Sequence, residues 1–197
     1  MLIILSGPSA AGKTTIAKYL ETYYVDQFEE IVSHTTRPMR PGEIDGKHYH
    51  FVDKNTFELM LKQDAFIEHQ QVYGHYYGVS KQAVEKVVSQ NKHGIVIIYP
   101  EALHFFEDYC KRYRCLKIFV DAPDIILKER LLKRGKNIKE RWQKIAYERS
   151  FKPLYDYVIN TDKPLEDTIK EILQIVNVYN SSSANNNNTK IFSTMVK

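Results

Sequence analysis

Residues 2–14 read Leu2-Ile3-Ile4-Leu5-Ser6-Gly7-Pro8-Ser9-Ala10-Ala11-Gly12-Lys13-Thr14. The first five form an apolar run typical of a buried strand, and the last eight match Gly-x-x-x-x-Gly-Lys-[Ser/Thr], the P-loop pattern. Its glycines let the backbone curl so that successive N–H groups face a polyphosphate, and a following helix directs its positive end at the same anion. A glycine turn beside a surface lysine would produce the same letters, but the apolar spacing of residues 16–21 predicts that helix. The sequence therefore predicts a strand, a phosphate-binding loop and a helix.

Two side chains of this loop carry predicted chemistry. The ammonium group of Lys13 would neutralise the β- and γ-phosphates of a bound nucleotide, and the hydroxyl of Thr14 would ligate magnesium. Thr14 is thus the predicted metal ligand, and Mg²⁺ the predicted cofactor.

Composition narrows the class of protein. A chain of 197 residues with 43% hydrophobic and 26% charged residues can bury one sizeable core with a small inserted subdomain. The net charge of +4 is mild and no block of lysines and arginines stands out, so no nucleic-acid partner is expected. No run approaches the roughly 18 apolar residues of a membrane span and no targeting signal is evident, which predicts a cytoplasmic protein with no membrane partner. Cys110 and Cys115 lack the spacing of a zinc site or a disulfide framework, and reduced thiols are expected.

Strands and helices alternate along the chain. Apolar strands over residues 94–99 and 115–120 are each followed by a predicted helix, the first over about 101–111, and a strand over 155–160 precedes a last helix over 165–179. With a P-loop strand at the start, this order predicts an α/β fold whose core is a parallel, doubly wound sheet, with ligands at the carboxyl ends of the strands. Residues 181–188 are low in complexity, and a disordered tail is predicted over residues 181–197.

The segment 33–80 differs from this core, since it is short-stranded and rich in Tyr and His. Arg37 and Arg40 lie on a loop that its prolines and a glycine keep irregular, and arginines placed in this way suit bidentate phosphate binding, although loop arginines are often only solvated. His48 and His50 share one face of a predicted strand, but no third ligand accompanies them, and alternating polar positions explain them without a metal.

The segment 124–149 is a pair of predicted helices with basic faces. Such faces are commonly solvated, yet beside a polyphosphate they could stabilise the charge of a transferring phosphoryl group. The sequence leaves both readings open.

Four motifs together resemble one family. They are the P-loop, Ser-x-Thr-Thr-Arg-x-x-Arg-x-Gly-Glu over residues 33–43, Phe66-Ile67-Glu68, and Gly-x-Tyr-Tyr-Gly over residues 74–78, and they are similar to those of guanylate kinases up to about residue 179. The resemblance implies a core over residues 1–32, 81–123 and 150–180, a small mixed-β nucleoside-monophosphate-binding lobe over 33–80 and a helical lid over 124–149. It also implies magnesium-assisted transfer of the γ-phosphoryl group of ATP to GMP or dGMP, by a monomer or a homodimer.

The resemblance assigns residues to three roles. It implies catalytic cations at Lys13, Arg37, Arg130, Arg134 and Arg141. It implies ATP binding by Gly7, Pro8, Ser9, Ala10, Ala11, Gly12, Lys13, Thr14, Thr15 and Asn160. It implies GMP binding by Ser33, Arg37, Arg40, Tyr49, Glu68, Tyr77 and Val79, with the carboxylate of Glu68 accepting from the N1 and N2 hydrogens of guanine.

The sequence departs from the family at two places. Val79 stands where the family has a base-binding hydroxyl, and Ile98-Tyr99-Pro100 stands where the family strand carries two aspartates. Glu101 and Asp121 are candidate substitutes for the missing carboxylates. These departures keep two alternatives open beside a GMP kinase: a monophosphate kinase with altered or relaxed base choice, and a weakly catalytic binding module of the same fold, against which the intact Gly12-Lys13-Thr14 argues.

Overall fold

The computed structural model describes residues 1–72, 74–135 and 137–194, with residues 182–194 described by their backbone alone. The core strands are β1 (Leu2–Ser6), β2 (Phe28–Glu30), β7 (His93–Ile97), β8 (Cys115–Asp121) and β9 (Tyr157–Asn160). They form a five-stranded sheet in the order β2-β7-β1-β8-β9, and every pairing in it is parallel. The predicted α/β fold with a parallel core sheet is confirmed.

Alternate residues of β1 reach opposite faces of this sheet, as the period of a strand requires. Ile3 and Leu5 pack on one face with Ile16 of α1 (Lys13–Tyr23), and that face is also covered by α5 (Asp124–Arg134) and α7 (Leu165–Thr194). Leu2 and Ile4 pack on the other face, which α3 (Lys81–Ser89) covers. Because both faces are covered, β1 is wholly buried, and the P-loop begins directly after this buried strand.

A second sheet lies within residues 33–80. It contains β3 (His34–Thr35), β4 (His50–Phe51), β5 (Phe66–Val72) and β6 (His75–Ser80), in the order β4-β3-β6-β5. The helix α2 (Lys54–Lys62) begins at Asp53, whose side chain accepts a hydrogen bond from the N–H of Thr56. The mixed sheet follows the prediction, since β3 is parallel to β4 and antiparallel to β6.

The remaining helices differ from the predictions at their ends. A 3₁₀ helix over Pro100–Phe106 and a short α4 (Glu107–Arg112) replace the single helix predicted over 101–111. The basic segment contains α5 and α6 (Ile138–Arg149), and a 3₁₀ turn (Lys152–Leu154) precedes β9.

The backbone of the final helix α7 is described as far as Thr194, and residues 195–197 lie outside the described residues. The disordered tail over residues 181–197 stays a prediction. The expectation of reduced thiols is wrong, since Cys110 and Cys115 are joined in a disulfide. The turn between α4 and β8 brings their Cα atoms to 5.1 Å, within the range that a disulfide spans.

None of the helices in the described part of the chain has the length and the apolar character that a membrane-spanning segment requires.

Candidate active site

A cavity of about 520 Å³ lies between the P-loop, the second sheet and the basic helices α5 and α6. Residues from all three segments line it, although the sequence separates them widely. The sequence-predicted site residues on its wall are Gly7, Ser9, Ala10, Gly12, Lys13, Thr14, Ser33, Arg37, Arg40, Tyr49, Glu68, Tyr77, Arg134 and Arg141. One cavity therefore joins the predicted donor loop to the predicted acceptor lobe.

The P-loop adopts a backbone that its two glycines permit. Gly7 and Gly12 have φ angles of 132° and 103°, and a Cβ on Gly7 would lie 1.9 Å from the carbonyl oxygen of Val120. Lys13 lies over its own loop and donates from Nζ to the carbonyl oxygens of Gly7 (2.5 Å) and Pro8 (2.8 Å). Burial lowers the pKa of Lys13 to about 8, and the nearby Glu148 carboxylate opposes that shift.

A second cavity of about 330 Å³ adjoins the other side of the P-loop. Ala10, Gly12 and Thr15 line it together with Arg130 and Arg134. The other residues of its wall were not predicted from the sequence; they are Ile16, Thr161, Lys163, Leu165 and Thr168. Thr161 and Lys163 follow the carboxyl end of β9, where ligands collect in such sheets, so the position of that strand end was the available signal.

Arg130 and Thr161 tie this second cavity to the P-loop. The guanidinium of Arg130 donates to Thr161 Oγ1 (2.8 Å), to the Thr161 carbonyl (2.6 Å) and, at 3.4 Å, to the Ala10 carbonyl. The Thr161 hydroxyl donates to the carbonyl of Ala11 at 2.8 Å. Asn160, the predicted adenine-side residue, is exposed at the end of β9 and lies on the wall of neither cavity. Its role stays a prediction.

The arginine loop is organised around Arg37, which is 8% exposed. Its Nη1 and Nη2 donate to the two carboxylate oxygens of Glu43 at 2.9 and 2.8 Å, and its guanidinium lies 5.5 Å from the ring centres of Tyr49 and Phe51. The rings of Tyr49 and Tyr77 lie 5.9 Å apart, edge to face. This corner of the cavity therefore offers cations and phenol hydroxyls, which are donors for an anion.

Glu68 and Val79 were both predicted to contact the base; they are paired across β5 and β6, but only Glu68 lies on the cavity wall. Glu68 is 7% exposed on the cavity wall, and burial, followed by the charge of Glu101, raises its pKa to about 7. Val79 is fully buried in the core that covers the Leu2 and Ile4 face and lies on the wall of neither cavity. The neighbouring Ser80 is the N-cap of α3, where its hydroxyl accepts from the N–H of Ala83.

Cations of the basic segment converge on the P-loop. Arg141 of α6 donates to Ser9 Oγ at 2.5 Å, and Arg134 lies on the wall of both cavities. Arg134 is exposed at the end of α5, and partial desolvation, followed by the charges of Arg141 and Arg40, lowers its pKa. A role of these basic faces in phosphoryl transfer stays a prediction.

Three carboxylates can be compared as substitutes for the missing strand-end aspartates. Asp121 is 2% exposed and is engaged by Arg149 (3.0 Å) and Lys152 (2.5 Å), so it anchors the end of α6. Glu101 and Glu148 each have a buried Oε2 without a hydrogen-bond partner among the described residues. Glu148, which the sequence analysis missed, is 4% exposed and lies on the wall of the larger cavity.

The two histidines considered for a metal point to different partners. The ring of His50 packs on His34 at 4.7 Å, whereas His48 lies on the cavity wall and accepts through Nδ1 from the N–H of Ile44. Among the described residues, no group of three or more His, Cys, Asp and Glu side chains is arranged to hold a metal ion.

Comparisons of the sequence and of the structure with known proteins indicate one family. The family model described as guanylate kinase matches residues 1–179. A guanylate kinase of Helicobacter pylori (strain 26695) is 40% identical over 181 residues, which cover 88% of this chain and 85% of the relative. A guanylate kinase of Clostridium perfringens (strain 13) is 38% identical over 181 residues, covering 89% and 82%. The crystal structure of a guanylate kinase from Anaplasma phagocytophilum superimposes with a TM-score of 0.69 at 30% identity, covering 90% of this chain and 85% of that one.

Proposed function

The chain belongs to the guanylate kinase family and transfers the γ-phosphoryl group of ATP to GMP; we propose that its two adjoining cavities divide this reaction between donor and acceptor. The observation that supports this division is the larger cavity, whose wall carries both Lys13 and the pair Arg37 and Arg40. A γ-phosphoryl group bound at Lys13 could therefore meet an acceptor phosphate bound at Arg37 and Arg40.

The donor half consists of the P-loop and the smaller cavity. Backbone N–H groups of the loop and the positive end of α1 would bind the β-phosphate, while the nucleoside would lie against Thr15, Arg130 and Thr161. Lys13 would exchange its bonds to the Gly7 and Pro8 carbonyls for bonds to phosphate oxygens, which carry more negative charge.

The acceptor half is the lobe over residues 33–80. Arg37, Arg40, Tyr49 and Tyr77 would bind the phosphate of GMP, and Glu68 would accept from the N1 and N2 hydrogens of guanine. Ser33 lies on the same wall and adds a hydroxyl. Val79 is left out of this proposal because it is buried in the core.

Mg²⁺ is the proposed cofactor, and the donor set near the P-loop fits it. Thr14 exposes a hydroxyl on the cavity wall, and Glu148 brings a buried carboxylate oxygen that lacks a hydrogen-bond partner among the described residues. Hard oxygen donors of this kind are what magnesium prefers, directly or through water. When bound, the ion would neutralise charge on the β- and γ-phosphates.

Phosphoryl transfer of this type needs positioning and neutralisation of charge, and no covalent nucleophile. We propose that residues 124–149 act as a lid, in which Arg134 and Arg141 face the transferring group while α6 excludes water. Arg141 already reaches Ser9 of the P-loop.

Two variants test the assignment of the acceptor half. Arg40→Ala should raise KM for every monophosphate alike, since it removes a phosphate contact, whereas Glu68→Ala should lower kcat/KM chiefly for GMP and dGMP. Lys47→Ala, on the same wall, removes a cation to which no role is assigned and serves as the matched control. An equal effect of Glu68→Ala on GMP and on a poor acceptor such as AMP would overturn the role of Glu68.

A further inference from the structure

Glu101 lies close to the proposed base-reading carboxylate without taking part in the cavity wall. It belongs to the first turn of the 3₁₀ helix over Pro100–Phe106, and this helix packs against β5, the strand that carries Glu68. Its Oε2 is fully buried and has no hydrogen-bond partner among the described residues. A buried carboxylate oxygen without a donor is costly, so its neighbours should respond to its charge.

The neighbours of Glu101 do respond. After burial, Glu101 is the charge that raises the pKa of Glu68, and it acts in the same direction on Glu148 and Tyr155. Glu68 is thus a carboxyl group that is 7% exposed, on a strand against which the helix of Glu101 packs. Two like charges that interact in a buried environment cannot both remain ionised without cost.

Other titratable groups near Glu68 do not offset this repulsion. On β6, which pairs with β5 through Glu68 and Val79, Tyr77 lies on the cavity wall and carries no basic group that could offset the charge. On the 3₁₀ helix, His104 is exposed and its ring bonds to the Glu101 backbone carbonyl. On β5 itself, His69 is exposed and, by the alternation of a strand, points to the opposite face.

We propose that Glu101, whose buried carboxylate lies on the helix packed against β5, is a positioning residue that acts on base recognition through Glu68. Guanine presents N1–H and N2–H donors, so Glu68 must be ionised to accept from both. A protonated Glu68 therefore releases its proton to solvent when GMP binds. GMP recognition weakens as the pH falls, and Glu101 fixes the pH at which this happens. The inference rests on the proposed role of Glu68.

Calorimetry of GMP binding at pH 7, in two buffers of different ionisation enthalpy, measures the protons released. Because the pKa of Glu68 is about 7, the wild type should release about half a proton from this group. Glu101→Gln keeps the shape but removes the charge, so the release should fall. The acid limb of kcat/KM for GMP should move to lower pH by about one unit, because removal of a like charge favours the ionised form of Glu68.

Controls separate the possible outcomes. Glu107→Gln removes an exposed carboxylate from the adjoining helix α4 and should leave the limb unchanged. The phosphates of GMP and ATP titrate identically in every variant, so each variant is compared with the wild type by the difference in protons released and in the pH of the acid limb. Glu68→Gln should abolish the released proton and weaken GMP binding. If it does so while Glu101→Gln releases as many protons as the wild type and keeps its acid limb, the role of Glu101 is overturned. If Glu68→Gln binds GMP as tightly as the wild type, the role proposed for Glu68 itself fails.

Discussion

Arg37 and Glu43 form an ion pair with two parallel hydrogen bonds, from Nη1 to Oε2 at 2.9 Å and from Nη2 to Oε1 at 2.8 Å. The same carboxylate accepts from the backbone N–H of Arg40 at 2.8 Å. Glu43 therefore fixes the side chain of one predicted phosphate-binding arginine and the backbone of the other. This holds the phosphate end of the lobe in shape before a nucleotide arrives.

Replacement of Glu43 by Gln should loosen that arrangement. We expect KM for GMP and dGMP to rise about tenfold, because a charged hydrogen bond contributes about 1.5 kcal/mol or more, while kcat changes less. Steady-state kinetics with saturating ATP measures this. Glu58→Gln, which removes an exposed carboxylate paired with Lys54 on α2, is the control. A KM for GMP equal to that of the wild type would contradict the positioning role of Glu43.

Thr161 should matter for ATP more than for GMP. It is 7% exposed, donates to the Ala11 carbonyl and accepts from Arg130, so Thr161→Val leaves both partners without their bond. Loss of a buried hydrogen bond costs about 1–3 kcal/mol, and KM for ATP should rise between fivefold and a hundredfold. Thr161→Ser, which keeps the hydroxyl, should restore most of the affinity. An unchanged KM for ATP in Thr161→Val would show that the hydrogen bonds of Thr161 with Ala11 and Arg130 are dispensable for ATP binding.

The end of α6 should depend on Asp121 for stability. Asp121→Asn leaves Arg149 and Lys152 without a buried counter-charge and should lower the free energy of unfolding by about 3 kcal/mol. Asp124 pairs with the same Arg149, but its side chain is 62% exposed, so Asp124→Asn should cost less than about 1 kcal/mol. Urea denaturation compares the two. Equal losses would mean that burial does not decide the strength of these pairs.

Glu30 should make stability depend on pH. Burial first, and then Glu21, raise its pKa to about 7 from the ordinary 4.5, so the folded state favours the protonated form. Its contribution is complete below about pH 4.5 and is lost as the pH rises through 7. Glu30→Gln should therefore raise the free energy of unfolding at pH 8 by about 1–2 kcal/mol and leave it unchanged near pH 4. Glu29→Gln, which loses an ion pair with Lys92, should show no such gain. A gain of the same size at both pH values would contradict this account.

The sequence predicted the elements whose local pattern is strong and missed what depends on packing. The P-loop, the parallel core and the arginine loop follow from glycine spacing, apolar runs and prolines. Val79 could not be placed from sequence, because a valine between a glycine and a serine on a short strand has the same pattern whether it faces a ligand or the core. Glu148 lies on a helix of mixed polarity, where nothing local marks a buried carboxylate. Thr161 directly follows β9 but was not predicted, because the family resemblance assigned a role to Asn160, one residue earlier, and none to Thr161.

The most direct test of the central claim is a coupled assay of the wild-type protein with MgATP and, in turn, GMP, dGMP, AMP, CMP and UMP, with the diphosphate product identified by chromatography. We expect GDP to form with a kcat/KM far above that for AMP, CMP and UMP, and Lys13→Ala to abolish turnover. Preference for another base, or no transfer to any monophosphate, would contradict the account.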